Sequence, residues 1–312
     1  MDPAFAAVEA VLRRSAEASG DAKERHLKAT EARRGRDLAR IVAARDAALG
    51  RALRPAEGGG SAAMKALAEG VLAYARRNDW NWIDVLLLLA CLDEDAGVCE
   101  RLGRAGLLYQ SYRMVDDVLD GHRDYKGHYP TLLGELERAG RSPSEVSALT
   151  LLPALAMMCE ALDGSAPMEA FAALARRTVL GALTECMPSE DLTLDRYEAI
   201  VEGKMVCYGL LLYGPAIEAA APPEREALGG FLESSFFVAQ VANDLVDRED
   251  DRRRGQPNFW NLQSDRAAAR RFVERVEDLG RRADGLADRL RPYGRSRVHD
   301  IANYALGPLT KS

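Results

Sequence analysis

Two acidic stretches carry most of the chemistry available to this sequence. The first is Asp116-Asp117-Val118-Leu119-Asp120; the second runs Asn243-Asp244-Leu245-Val246-Asp247-Arg248-Glu249-Asp250-Asp251. Each follows an apolar, helix-forming run: Leu107-Leu108-Tyr109 and Met114-Val115 in one case, Phe236-Phe237-Val238 and Val241-Ala242 in the other. Residues four apart share a helix face, so Asp116 stacks with Asp120, and Asn243 with Asp247 and Asp251. Like charges at that spacing weaken an isolated helix by roughly 0.2–0.5 kcal/mol per pair. A cation between them removes that cost. Oxygen-only donors select Mg²⁺, which is held by one or two carboxylates together with substrate phosphates. A single cluster of this kind fits a solvated acidic face; two, each ending an apolar helix that should be buried, point to metal.

Basic residues near these clusters are the candidates for gripping an anion. Arg113 sits three before Asp116, the spacing of an ordinary helix ion pair as well as of an anion ligand. The loop from His122 to Pro130 carries Arg123, Lys126 and His128, either as solvated residues or as a grip on a diphosphate. Lys204 has Val201, Met205, Val206 and Cys207 around it and shares a face with Tyr208. That is the setting of a lysine pointing inward toward an anion, against the commoner snorkelling surface lysine. Arg252-Arg253-Arg254 ends the second acidic helix and can answer its C-terminal dipole or a phosphate.

The elements that must position these groups are helices. Ala, Leu, Arg and Glu dominate, aromatic content is 6%, and neither β-type alternation nor an Asn-Gly hairpin signal stands out. The chain of 312 residues reads as all-α, with a charged helical arm over 1–57 and one domain over 58–312. In the arm, two helices break near Gly20-Asp21, with packing or dimerisation as its role. Helices are expected at about 62–77, through 82–89, 98–121, 144–163 (with a kink at Pro153), 167–187, 194–219, from 224 through the second motif, 265–291 and 296–307. Thr131 is placed to cap a short helix. A net charge of −6 argues against a general nucleic-acid binder. Cys91, Cys99, Cys159, Cys186 and Cys207 are scattered without metal spacing and read as reduced residues of a cytoplasmic protein. The longest apolar run, Val85 to Leu92, is too short to span a bilayer.

Taken together, these motifs resemble the class I isoprenoid synthases, specifically the trans-polyprenyl diphosphate synthases. Asp116-Asp117-x-x-Asp120 looks like their Asp-Asp-x-x-Asp, and Gly127…Pro130-Thr131-Leu132 resembles Gly-x-Pro-Thr-Leu with one residue inserted. Tyr197…Gly203-Lys204-Met205 is similar to Tyr…Lys-Thr, with Met205 where Thr is usual. Gln240-Val241-Ala242-Asn243-Asp244-Leu245-Val246-Asp247 resembles Gln-x-x-Asp-Asp-x-x-Asp. The likeness runs from about 60 to 307. It departs at Gly58-Gly59-Gly60-Ser61-Ala62-Ala63-Met64-Lys65, where the family has an arginine-rich acceptor segment, and at Tyr125-Lys126-Gly127, where it has Arg-Arg-Gly. Gly181-Ala182-Leu183-Thr184-Glu185 lacks the glutamine of Gly-Gln-x-x-Asp. The donor half is kept and the acceptor half eroded.

The resemblance implies an antiparallel helical bundle around a deep central cavity, with the two acidic helices on opposite walls. It implies a prenyltransferase acting on an allylic isoprenoid diphosphate, with isopentenyl diphosphate or another acceptor, a short product and a homodimer. Two or three Mg²⁺ ions would be held by Asp116, Asp117 and Asp120 and by Asn243, Asp244, Asp247 and Asp251. Asp116, Asp120, Asp247 and Lys204 are the expected catalytic residues. Arg113, Lys126, Lys204, Gln240 and Arg254 would bind diphosphate, and Tyr109, Tyr112 and Tyr208 would line the pocket and limit chain length. Two alternatives stay open: a terpene cyclase, which needs no acceptor site, and a silent subunit modulating a partner synthase. The spacing Asn243, Asp247, Asp251 also resembles the cyclase metal triad, with Arg196 near their diphosphate sensor. Tyr109-x-x-Tyr112-Arg113 before the first motif is similar to squalene and phytoene synthases too.

Overall fold

The computed structural model describes residues 3–54, 62–77, 98–124, 129–162, 168–186, 192–207, 209–210, 214, 217, 222–262, 266–290 and 292–310. It divides into two compact units. One, the first-motif unit, comprises Arg34–Ala90 and Glu94–Ser165; the other, the second-motif unit, comprises Met1–Arg33, Cys91–Asp93 and Ala166–Ser312.

The first helix, α1 (Pro3–Ala52), contributes to both. It runs unbroken through Gly20-Asp21, where a break was expected. An interior glycine costs about 1 kcal/mol relative to alanine, and flanks rich in Ala, Glu, Lys and Arg offset that.

In the first-motif unit, α2 (Ala62–Arg77), α3 (Val98–Leu119), α4 (Leu132–Arg138) and α5 (Pro143–Leu162) follow the end of α1. α3 packs along α5, and its N-terminal turns meet α1 at Gly103. A Cβ on Gly103 would lie 2.6 Å from Ala44 Cβ and 2.8 Å from Arg45 N, so only glycine admits this crossing. Ile41, Leu49, Val71, Tyr74, Leu102, Leu107, Met114 and Met157 fill the core, each such apolar side chain contributing about 1.5–3 kcal/mol on burial. α5 carries Pro153 within an uninterrupted helix. By length and composition it is apolar enough to cross a membrane. Val146, Thr150, Pro153, Ala154, Met157 and Ala161 are buried within the protein, while Leu152 and Leu155 are exposed.

In the second-motif unit, α6 (Met168–Cys186) and α7 (Leu194–Val201) precede the long α8 (Pro222–Arg254). A 3₁₀ turn (Phe259–Leu262), α9 (Arg266–Ala287), α10 (Pro292–Leu306) and a last 3₁₀ turn (Gly307–Thr310) follow. α8 packs on α9 and α10 through Leu228, Phe231, Leu232, Val238 and Val241 against Phe272, Val276, Leu279, Val298 and Ala302. The regular helix expected over 194–219 stops at Val201 and continues as a π-helical turn, Glu202–Cys207. There Gly203 meets Gly181 of α6: a Cβ on Gly181 would lie 2.6 Å from Lys204 N, and one on Gly203 2.8 Å from Arg177 O. The wider turn adds a residue without breaking the helix, a device common at functional sites, and this one carries Lys204. Thr193 caps α7, its hydroxyl accepting from Arg196 N–H at 3.3 Å.

Candidate functional site

The first acidic motif closes α3, the second runs from Asn243 to Asp251 over the final turns of α8 before Arg254, and both helices end in the same way. Gly121 adopts φ +67° after α3, and His122 N–H donates to Asp117 O at 2.8 Å. Gly255 adopts φ +67° after α8, and Gln256 N–H donates to Asp251 O at 2.9 Å. These are Schellman caps, in which a left-handed glycine turns the chain back over the helix end. Asp116, Asp120 and Asp251 therefore sit where the helix dipole is negative, a placement that disfavours an exposed acid by about 0.3–1 kcal/mol. Acids held in such places call for a cation.

Within the first cluster, the acids divide by what they touch. Asp117 is buried and accepts from Tyr74 Oη of α2 at 2.5 Å and from Arg113 Nη2 at 3.3 Å. Burial, reinforced by Asp116, pushes its carboxyl above the usual range, against the pull of Arg113 and the Tyr74 hydrogen bond. The Tyr74 hydroxyl is raised as well, by burial and by the carboxylate beside it. Asp116 accepts from Arg113 Nη1 at 2.6 Å. Asp116, Asp120 and His122 each bring a ligand atom to within 4.8 Å of the others. Tyr109 and Tyr112 are half-buried on the same helix.

The loop that follows is pinned. Thr131, the expected cap, accepts from Gly134 N–H at 3.1 Å and donates its hydroxyl proton to His122 O at 2.7 Å. Thr131 N–H donates to Arg123 O at 3.1 Å. A Cβ on Gly134 would come within 2.0 Å of that same carbonyl, so the strand of loop can lie there only over a glycine.

The second cluster repeats the division. Asp244 is buried and accepts from Tyr197 Oη at 2.7 Å, Gln240 Nε2 at 2.6 Å and Phe259 N–H at 2.9 Å. Burial pushes its carboxyl up to about 7 despite these three donors, with Asp251 adding a smaller push. Gln240, expected at the diphosphate, is thus bonded to this acid. Asp251 accepts from Asn258 Nδ2 at 2.8 Å, and the same amide donates to Asp244 O at 2.7 Å. Burial raises the Asp251 carboxyl, and neighbouring Asp247 raises it further, against Lys204 and Arg254. Asn243 and Arg254 are exposed and Asp247 half-exposed. Tyr197, Phe259, Trp260 and Phe272 form an aromatic cluster behind Asp244, with centroids 5.4–6.0 Å apart.

Lys204 Nζ lies 2.6 Å from Glu185 Oε2, with both side chains mostly buried. Glu185, Tyr197, Val201, Lys204, Gln240 and Pro257 line a small cleft in this unit. Lys126 and Tyr208 lie outside the described residues, as do Trp80, Trp82, the Val85–Leu92 run, Gly58 to Ser61 and Tyr125 to His128. Tyr74 and Asn258 escaped the sequence reading. Tyr74 lies in an unremarkable amphipathic helix 43 residues from its partner, whereas Asn258 could have been noticed for its place just past the Gly255 cap.

No family model matches this chain, and no curated protein matches it. Solved structures do. A decaprenyl diphosphate synthase from Rhodobacter capsulatus is 15% identical with a TM-score of 0.61, over 88% of this chain and 98% of that one. A polyprenyl synthase from Caulobacter crescentus, complexed with calcium and isoprenyl diphosphate, is 20% identical with a TM-score of 0.53, over 86% and 96%. A geranylgeranyl pyrophosphate synthase from Corynebacterium glutamicum, complexed with isoprenyl diphosphate and magnesium, is 11% identical with a TM-score of 0.58, over 88% and 98%. The chain shares their all-α isoprenoid-synthase fold.

Proposed function

We propose that this chain is a Mg²⁺-dependent prenyltransferase acting on an allylic isoprenoid diphosphate and making a short product. The observation that carries the reading is the pair of acid clusters, one closing α3 and one along the C-terminal turns of α8, in a chain whose fold is that of solved polyprenyl synthases. The donor set supports a hard divalent cation, being mainly carboxylate oxygen. Asp116 and Asp120 would hold such a cation at α3, and Asn243, Asp247 and Asp251 would hold one at α8. Asp117 and Asp244 tie those helix turns to their neighbours through Tyr74 and Arg113 and through Tyr197, Gln240 and Phe259. When bound, the cation supplies the positive charge that makes diphosphate a leaving group. Lys204 adds a charge-assisted hydrogen bond to a diphosphate oxygen, exchanging its partner Glu185 for the substrate. Tyr109 and Tyr112 stack along α3 from the acid cluster and limit the growing chain. The allylic carbon loses its C–O bond, and an acceptor double bond captures the cation and releases a proton. A homodimer and an isopentenyl diphosphate acceptor belong to the same proposal.

A cyclase is the second reading, favoured by the arginine-poor stretch Gly58 to Lys65. Incubation with Mg²⁺ and geranyl, farnesyl or geranylgeranyl diphosphate, each with and without isopentenyl diphosphate, separates the two. Longer diphosphates formed only with isopentenyl diphosphate support elongation, whereas hydrocarbon or alcohol from the allylic substrate alone supports cyclisation. Inertness toward all three substrates overturns both.

A further inference from the structure

The residue after Gly121 is placed by geometry that goes beyond what a cap requires. His122 is fixed at both ends of its backbone, its N–H on Asp117 O at 2.8 Å and its carbonyl under Thr131 Oγ1 at 2.7 Å. The loop beyond it is locked over Gly134. This folds the imidazole back against the last turn of α3, with Nδ1 4.0 Å from Asp120 Oδ2 and 3.9 Å from Asp117 Oδ1. Both separations exceed hydrogen-bond length. They match instead the spacing of about 3–4 Å between ligand atoms that share one small cation. Asp116, Asp120 and His122 bring ligand atoms within 4.8 Å of one another, while Asp117, buried and bonded to Tyr74 and Arg113, anchors the turn. Arg113 answers one of the three carboxylate charges in this turn, so the charge left over suits a dication.

We propose that His122 is a cation ligand together with Asp116 and Asp120, and that its nitrogen makes this site favour Mn²⁺ over Mg²⁺. The inference rests on the preceding reading, that these acids hold a divalent cation. Imidazole suits the later first-row metals, whereas Mg²⁺ takes oxygen almost exclusively. The sequence pattern alone hides this ligand, since His122 stands outside the Asp-Asp-x-x-Asp spacing and a loop histidine has no periodic partner. Nor does a 41% exposed imidazole draw notice by burial.

The test uses the full chain loaded with Mn²⁺ and inorganic pyrophosphate, read by pulsed electron paramagnetic resonance. The wild type is expected to show nitrogen-14 modulation from a directly bound imidazole. His122→Gln, folded by circular dichroism, is expected to lose the modulation and to bind Mn²⁺ at least about tenfold more weakly, while its Mg²⁺ affinity changes less than twofold. Bound Mn²⁺ without nitrogen modulation, or modulation that survives in His122→Gln, overturns the role of His122. Mn²⁺ affinity unaffected by Asp116→Asn and Asp120→Asn overturns the underlying cation reading instead. The two failures are therefore told apart.

Discussion

Replacing Asp244 by asparagine should change how the stability of the protein depends on pH. Asp244 is 4% exposed, and its carboxyl, ordinarily near 3.8, is pushed up to about 7 by burial. An acid whose pKa is raised on folding adds stability below the unfolded pKa and loses it as pH rises through the folded value. Between the two pKa values the native state binds one proton more than the unfolded state, so unfolding free energy falls by about 1.4 kcal/mol per pH unit. From pH 4 to pH 7 the accumulated loss is about 4 kcal/mol. Asp244→Asn removes the titration while keeping a side-chain oxygen for Tyr197 and the Phe259 N–H, which share Asp244 Oδ2. Gln240 meets the new amide by turning its own side-chain oxygen toward it. Urea unfolding in EDTA, followed by far-ultraviolet circular dichroism at pH 4.5, 5.5, 6.5 and 7.5, measures both proteins. Subtracting the profiles cancels every other titrating group. The variant should gain on the wild type by several kcal/mol across this range, whatever constant offset the amide brings. Parallel profiles would falsify the claim that this carboxyl is protonated in the folded, metal-free protein.

Other perturbations address the remaining parts of the argument. Asp116→Asn and Asp247→Asn should each lower kcat on the order of a hundredfold or more, with helicity unchanged by circular dichroism; full activity in either sinks its assignment. Tyr74→Phe strips the buried Asp117 of a donor and should cost about 1–3 kcal/mol in urea unfolding; an unchanged midpoint and slope argue against it. Gly181→Ala places a methyl 2.6 Å from Lys204 N. It should destabilise by about 1–3 kcal/mol and raise KM for the diphosphate, and a wild-type KM would show that the crossing does not position Lys204.

How much of this could be read beforehand depended on the range of the interaction. Helices repeat every 3.6 residues, so α2, α3, α5, α6, α8 and α9 announced themselves through local pattern, and Thr131 through capping chemistry that acts within three residues. The acid motifs were legible for the same reason, as i,i+4 stacks. What stayed hidden was set by contacts between distant parts of the chain. The π turn at Glu202–Cys207 coincides with a glycine crossing between α6 and the end of α7. The division of labour among the acids was only half legible, because spacing stacks Asp116 with Asp120 but does not say what Asp117 touches. A tyrosine from another helix settles that.

That tyrosine is the more telling because the second cluster uses the same arrangement with unrelated residues. Asp244, like Asp117, is the buried acid of its turn, and Tyr197, like Tyr74, approaches it from a different helix. In each case a carboxyl raised by burial is bonded to a phenol raised by the carboxyl. A buried, unbonded acid would cost several kcal/mol, so these pairs fix the orientation of the helix turns on which Asp116, Asp120, Asp247 and Asp251 are displayed. Reaching a metal requires acids that still face solvent, whereas holding two such groups in register requires acids that do not. In the first cluster the consecutive acids Asp116 and Asp117 meet both needs within one turn, since adjacent positions on a helix point about 100° apart. In the second, Asp244 is buried while Asp247, one turn on, stays half-exposed.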